Sequence, residues 1–213
     1  MFYTSRPSLQ KAAQAGSNTG STTDSTSDGA TNSIAAGATA PRRRRTPKRR
    51  NYGQVRAFDV ANGEGIRTSI FVTGCTHACE DCFNGEYQDF DAGDPWTDDT
   101  TAEVIRYLKE PMVAGLTLLG GEPMQNLWLT DVVREIKQEV DKNIWVYSGY
   151  TFEQIMAHRG RRELMEECDI LVDGLFVNTL KDLTLKFRGS SNQRIIDIKK
   201  TLACGEIVLH EPK

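Results

Sequence analysis

The sequence predicts an α/β fold in which short buried strands alternate with amphipathic helices over a parallel sheet. Three observations carry this. Four apolar runs of strand length each stop at a glycine or turn residue, at Arg67–Thr73, Gly115–Leu119, Asn143–Tyr147 and Asp169–Asp173. Segments of helical period lie between successive runs. The connections are long enough for right-handed crossovers, which give either an open sheet or a partial barrel. In both arrangements ligands gather at the carboxyl ends of the strands.

Folded chain is expected from about Tyr52, where aromatic and branched residues reappear. The first strand, Arg67–Thr73, ends at Gly74, just before a group of cysteines. Thr100-Thr-Ala-Glu103 has the form of a capping box, and Val104, Ile105 and Leu108 continue at helical spacing, predicting a helix from about Thr101 to Lys109. The strand at Gly115–Leu119 stops at Gly120-Gly121. Leu129, Val132, Val133, Ile136 and Val140 recur at spacings of three and four, the mark of a helix laid on a sheet. Strand Asn143–Tyr147 follows, then a second capping-box pattern at Thr151–Gln154, a helical stretch Arg161–Glu167 and strand Asp169–Asp173. Cys75, Gly120, Ser148 and Gly174 thus all fall just past strand ends, on one predicted rim.

Charge divides the 213 residues into two unlike parts. Of 26 basic and 29 acidic residues, nine basic and two acidic lie in residues 1–50, so that stretch carries +7 and the remainder −10. Between Ala15 and Ala40 the chain is almost entirely Ala, Gly, Ser, Thr, Asn and Asp, which cannot offset the entropy of ordering. The expected organisation is a disordered arm over 1–50, ending in an Arg-rich run, and one domain over 51–213. Pro41–Arg50 packs seven positive charges into ten residues; it is either a solvated linker or a contact for a polyanion. No stretch approaches the ~18 apolar residues of a membrane span, and no secretory apolar core precedes the domain. A cytoplasmic, reducing compartment fits five cysteines, an odd number, of which three lie within eight residues.

Those three, Cys75, Cys79 and Cys82, are spaced so that one loop can wrap a single metal centre. Structural zinc normally takes four protein ligands, whereas a four-iron cluster on three thiolates leaves one iron open to a substrate. A zinc site completed by His77, Cys168 or Cys204, or a set of free thiols, are the alternatives. His77 reads as a supporting residue, and Cys168 and Cys204 as thiols outside the chemistry.

The spacing of three and then two residues, followed by the aromatic Phe83, resembles the signature of the radical S-adenosylmethionine enzymes, and Gly120-Gly-Glu-Pro123 resembles their methionine-binding loop. Asp59–Arg67, Cys82-Phe-Asn84, Trp145–Tyr150, Val172–Val177 and Arg188–Gln193, in that order, are most similar to the small activating proteins of anaerobic (class III) ribonucleotide reductase. Phe83 stands where Tyr or Trp is common, and the arm has no counterpart in compact members of the family.

The resemblance implies a partial (β/α) barrel of the radical S-adenosylmethionine type. It also implies a [4Fe-4S] cluster on Cys75, Cys79 and Cys82 whose open iron chelates S-adenosylmethionine. Reductive cleavage would give a 5'-deoxyadenosyl radical that installs a glycyl radical on the large reductase subunit, with flavodoxin or ferredoxin as electron donor. Asp81, Cys82, Phe83, Asn84, Gly120, Gly121, Glu122 and Ser148 are the implied cofactor contacts: the glycines for close backbone approach, Glu122 to accept from the ammonium, and Asn84 as a polar brace. Asp173 and Arg188 are weaker candidates, equally a turn residue and an ion-pair partner. Rival readings are another small radical enzyme, such as a pyruvate formate-lyase activator or deazaguanine synthase, and a zinc-stabilised nucleic-acid-binding module. The −10 body argues against the last.

Overall fold

A computed structural model describes residues 49–212; the expectations for the arm lie, apart from Arg49 and Arg50, outside the described residues. The described part is a mixed α/β structure built on one seven-stranded sheet. Its strands are β1 (Asn51–Asp59), β2 (Ile66–Val72), β3 (Asp94–Pro95), β4 (Val113–Gly120), β5 (Asn143–Tyr147), β6 (Ile170–Asp173) and β7 (Arg194–Asp197), in spatial order β3-β1-β2-β4-β5-β6-β7. The helices are α1 (Asp98–Leu108), α2 (Leu129–Glu139), α3 (Phe152–Met156), α4 (Arg159–Glu166) and α5 (Ile198–Cys204).

The parallel prediction holds for the centre, where β2, β4, β5 and β6 run parallel. It does not hold at the edges: β1 and β3 are antiparallel on one side, and β7 is antiparallel to β6 on the other. Neither β1 nor β7 was expected from sequence. Most of β1 is only partly buried, and β7 has just four residues, so neither shows the continuous apolar run of a strand covered on both faces.

Successive residues of the central strands face opposite sides. Ile70, Val72, Leu116, Leu118, Ile144, Val146, Leu171 and Ile196 join the buried residues of the helices in one large core. The α2 stripe of Leu129, Val132, Val133 and Ile136 lies in it as the periodicity predicts. The other face carries Arg67, Phe71, Leu119, Trp145, Tyr147 and Val172. Among the described residues none of α1–α5 packs in the two small clusters on this face; the Asp59–Gly65 turn, Tyr87, Phe187 and His210 lie against it. Here Leu209 pairs with Ile196, the His210 ring stands on Trp145, and His210 Nε2 lies 2.9 Å from Glu64 Oε2.

Helix starts follow side-chain capping. The box at Thr151 forms in both directions, with Gln154 N donating to Thr151 Oγ1 and Thr151 N donating to Gln154 Oε1. The box expected at Thr100 does not: α1 begins three residues earlier, capped by Thr97, whose Oγ1 accepts from Thr100 N at 3.2 Å. Asp98 and Asp99 then sit in the first turn, where the helix dipole favours carboxylates, and Thr101 is free to accept from buried Trp96 Nε1 at 2.9 Å. Helix α4 likewise starts two residues before the predicted point, at the cap His158. Among the described residues no helix is long and apolar enough to cross a membrane.

Candidate functional site

Four loops at the carboxyl ends of β2, β4, β5 and β6 meet around one cavity of about 670 Å3. Cys75, Cys79 and Cys82 lie on its wall, together with Phe83, Asn84, Gly120, Gly121, Glu122 and Ser148. Of the expected cluster ligands and implied cofactor contacts, only Asp81 is not on this wall. Its carboxylate accepts from Asn178 Nδ2 at 2.7 Å and so ties the cysteine loop to the loop after β6. Asp173 is fully buried and structural: it accepts from Phe152 N and pairs with Arg194, fixing the start of α3. Arg188 does reach the cavity wall, while donating to Gln193 O at 2.8 Å.

The cysteine loop is held at its base by backbone. Gly74 N donates to Tyr87 O and Cys75 N to Gln88 O, at 2.8 and 2.9 Å. Ala78 and Asp81 have φ of 50° and 52°, left-handed values that a non-glycine residue adopts at some cost, and each immediately precedes a cysteine. These two turns bring Cys79 and Cys82 back to the wall that Cys75 already faces.

Glycines 120 and 121 are required by packing within the protein. A Cβ on Gly120 would stand 2.6 Å from Val72 N and O, and one on Gly121 would stand 2.6 Å from Gly74 O and 2.7 Å from Tyr87 O. The close approach lets Gly121 N donate to Val72 O and Glu122 N donate to Gly74 O. The loop after β4 is thereby laid directly against the root of the cysteine loop.

Glu122 joins the loops. Its side chain is 1% exposed, and both oxygens are engaged. Oε1 accepts from Met124 N and Ser148 Oγ at 2.8 Å; Oε2 accepts from Gly149 N at 2.7 Å and lies 3.0 Å from His77 Nε2. Donors from the cysteine loop, its own turn and the loop after β5 thus converge on one buried carboxylate. Ser148 Oγ, besides donating to Glu122, accepts from Tyr150 N. His77, two residues from both Cys75 and Cys79, packs edge-on against Tyr150.

Two residues of this framework were not found from sequence. Asn126, 4% exposed, donates through Nδ2 to Thr73 O and Glu122 O and accepts from Trp128 Nε1, all at 3.0 Å. Gln125 accepts from Thr76 N and donates to Thr76 Oγ1 and Tyr150 OH. Both follow Gly-Gly-Glu-Pro closely, but a polar residue in a loop carries no periodic signal.

Burial pushes the Cys75 thiol up to about 11 and raises Cys79 as well, with the neighbouring Cys82 adding to the latter. Both are therefore protonated thiols near neutral pH, and ligation to a metal would displace their protons. Cys168 is fully buried, its thiol also pushed up by burial, and Cys204 is exposed at the far end of α5. Neither lines the cavity. Among the described residues no three His, Cys, Asp or Glu side chains converge tightly enough for one metal ion. A polynuclear cluster does not need that convergence, because each thiolate takes a different iron; three soft sulfur donors from one loop suit such a cluster.

The sequence model of the family described as "4Fe-4S single cluster domain" matches residues 61–196, a span that includes every loop of the cavity. Proteins named anaerobic ribonucleoside-triphosphate reductase-activating protein are similar to about two thirds of this chain. The one from Pasteurella multocida (strain Pm70) is 40% identical over 151 residues, covering 68% of this chain and 96% of the relative. The chain belongs to this activating-protein family. The Escherichia coli (strain K12) relative is 36% identical over 149 residues, covering 67% of this chain and 96% of its own length. The relative from Enterobacteria phage T4 is also 36% identical, with 68% and 92% covered. Each of these alignments covers about two thirds of this chain and more than nine tenths of the relative, and the match to a 4Fe-4S cluster domain supports an iron-sulfur cofactor.

Proposed function

We propose that this protein activates anaerobic ribonucleotide reductase as a radical S-adenosylmethionine enzyme, with residues 51–213 as the activase domain and the sheet as a partial barrel of that type. Cys75, Cys79 and Cys82 would hold a [4Fe-4S] cluster, which together with S-adenosylmethionine would supply the radical chemistry needed to take a hydrogen atom from a glycine of the large reductase subunit. One observation carries the reading: three cysteines, the Gly120-Gly121 turn and Ser148 surround one cavity and are locked together by a single buried carboxylate, Glu122.

The residues of the chain have the following roles. Cys75, Cys79 and Cys82 hold the cluster. Gly120 and Gly121 bring the backbone of the turn against the cluster loop, so that one wall serves both cluster and cofactor. Glu122 places its negative charge beneath that wall, which favours an ammonium group on it, since a buried carboxylate is weakly screened. Ser148 and Asn84 supply polar groups to the wall, and Phe83 offers a ring face at the mouth. Electrons come from a small reduced donor such as flavodoxin or ferredoxin. The names carried by the relatives favour this activity over that of a pyruvate formate-lyase activator or a deazaguanine synthase.

Electron paramagnetic resonance of the anaerobically reconstituted, reduced protein tests the reading. A reduced-cluster signal that changes shape on adding S-adenosylmethionine is the expected result. A protein that takes up zinc and no iron would overturn it.

A further inference from the structure

The described residues include ten large apolar side chains left exposed; two of them, Phe83 and Leu183, line the cavity, and two more, Leu175 and Leu180, stand on the same loop after β6 as Leu183. Phe83 is 59% exposed and packs at a tilt against Phe176, ring centroids 5.0 Å apart; Leu183 is 81% exposed. Lys181 Nζ lies 4.7 Å from the Phe83 ring centroid. Asn178 and Asp81 bond the loop that carries these leucines to the cysteine loop, so the patch is continuous with the wall of the site.

Charge on this rim departs from the rest of the domain. Lys181, Lys186 and Arg188 face one carboxylate in the same stretch, Asp182, on a domain that is otherwise acidic. Elsewhere on the surface Lys109, Arg134, Lys137, Arg159, Arg162 and Lys200 each sit within 3 Å of a carboxylate. Among the described residues none of the three rim cations has a carboxylate oxygen within 4 Å, although Arg188 is near enough to help lower the Asp182 carboxyl. Leu175, Leu180, Lys181 and Lys186 also stand outside the cavity lining, so a small molecule held within would leave them in water.

We infer that this rim is a docking surface for a polypeptide segment bearing apolar side chains flanked by carboxylates. Resting on the function proposed above, the segment belongs to the large reductase subunit and surrounds the glycine that must enter the mouth. Clustered apolar side chains supply the contact energy, and the unpaired cations select an acidic partner and speed its approach.

The full chain, reconstituted and reduced with dithionite, is compared with Leu180→Asp and with the double variant Lys181→Glu/Lys186→Glu. Deoxyadenosine release without reductase is expected to be unchanged in both, which also shows that they fold and load. The reductase concentration giving half-maximal glycyl-radical signal is expected to rise about ten-fold in each, and the defect of the charge variant should shrink as salt is added. Variants that titrate like the wild type would overturn the docking surface. A wild-type protein that releases deoxyadenosine yet places no radical on the reductase would overturn the functional reading beneath it.

Discussion

The two faces of the central sheet are equally buried and chemically opposite. Toward the helices the buried residues of β2, β4 and β5 other than Thr68 and Gly120 are branched aliphatics, and the layer closes chiefly by dispersion and buried area. Toward the cavity the same strands offer Arg67, Ser69 and Phe71, Thr117 and Leu119, and Trp145 and Tyr147. Arg67 shows the difference best. It is 1% exposed, donates to Thr117 Oγ1, Leu116 O, Asn143 O and Glu64 O, and lies over the Trp145 ring. Burial lowers its pKa to about 10, so it remains charged at neutral pH. One face is a core that holds the fold; the other is a lined chamber whose shape depends on hydrogen bonds.

Substitutions should separate the two. The largest effect on activity and the smallest on folding is expected from Cys79→Ala, because the cysteine loop contributes nothing to the helix-side core: iron content and deoxyadenosine release should fall to background while the thermal melt stays within a few degrees. Unfolding on this change would instead support a structural metal. Leu118→Ala, on the helix side, should cost about 3 kcal/mol of stability in denaturant titration, as a fully buried leucine does, with iron content per folded molecule unchanged.

Arg67→Met, on the chamber side, should cost about 1–3 kcal/mol, since the carbonyls of Leu116 and Asn143 lose a donor. Unlike Leu118→Ala it should also alter the response of the cluster spectrum to S-adenosylmethionine, because the Asp59–Gly65 turn that it anchors borders the cavity. Equal spectra for the two variants would erase the distinction between the faces.

The smallest effect concerns pH. Hydrogen bonding from Arg194, then Thr151, holds the Glu153 carboxyl down at about 2, against an ordinary 4.5. A depressed carboxyl contributes stability that is present above the ordinary value and lost as pH falls through the folded one. The link between α3 and β7 should therefore weaken between about pH 4.5 and 2, and Arg194→Gln should flatten that part of the acid-unfolding profile. Glu153 is largely exposed, so the change should be modest.

Much of this was legible in the chain. The four central strands, the α2 stripe and the Thr151 box are local patterns, and burial selected the residues that make them. The loops of the site were legible for the same reason: each follows a strand whose end a glycine or turn residue marks. The outer antiparallel strands were not, because β1 is mostly only partly buried and β7 has just four residues, so neither shows an apolar period of its own. The start of α1 was not either, since Thr97 and Thr100 are both plausible caps by type, and the partner of Thr101, Trp96, decides between them.

The sequence by itself determined the order of the four central strands and of the helices between them, the cysteine spacing and the placing of the reactive loops past the strand ends, because these depend on residues close together in the chain. Tertiary structure alone decided that Glu122 binds three loops, that Asp81 turns to Asn178 and away from the cavity, that Asn126 and Gln125 brace the cysteine loop, and that Phe83 stands exposed beside Lys181. Each of those outcomes depends on which donors and surfaces arrive from segments dozens of residues away. A hydrogen bond or an exposed ring has no period to read until the sheet brings those segments together.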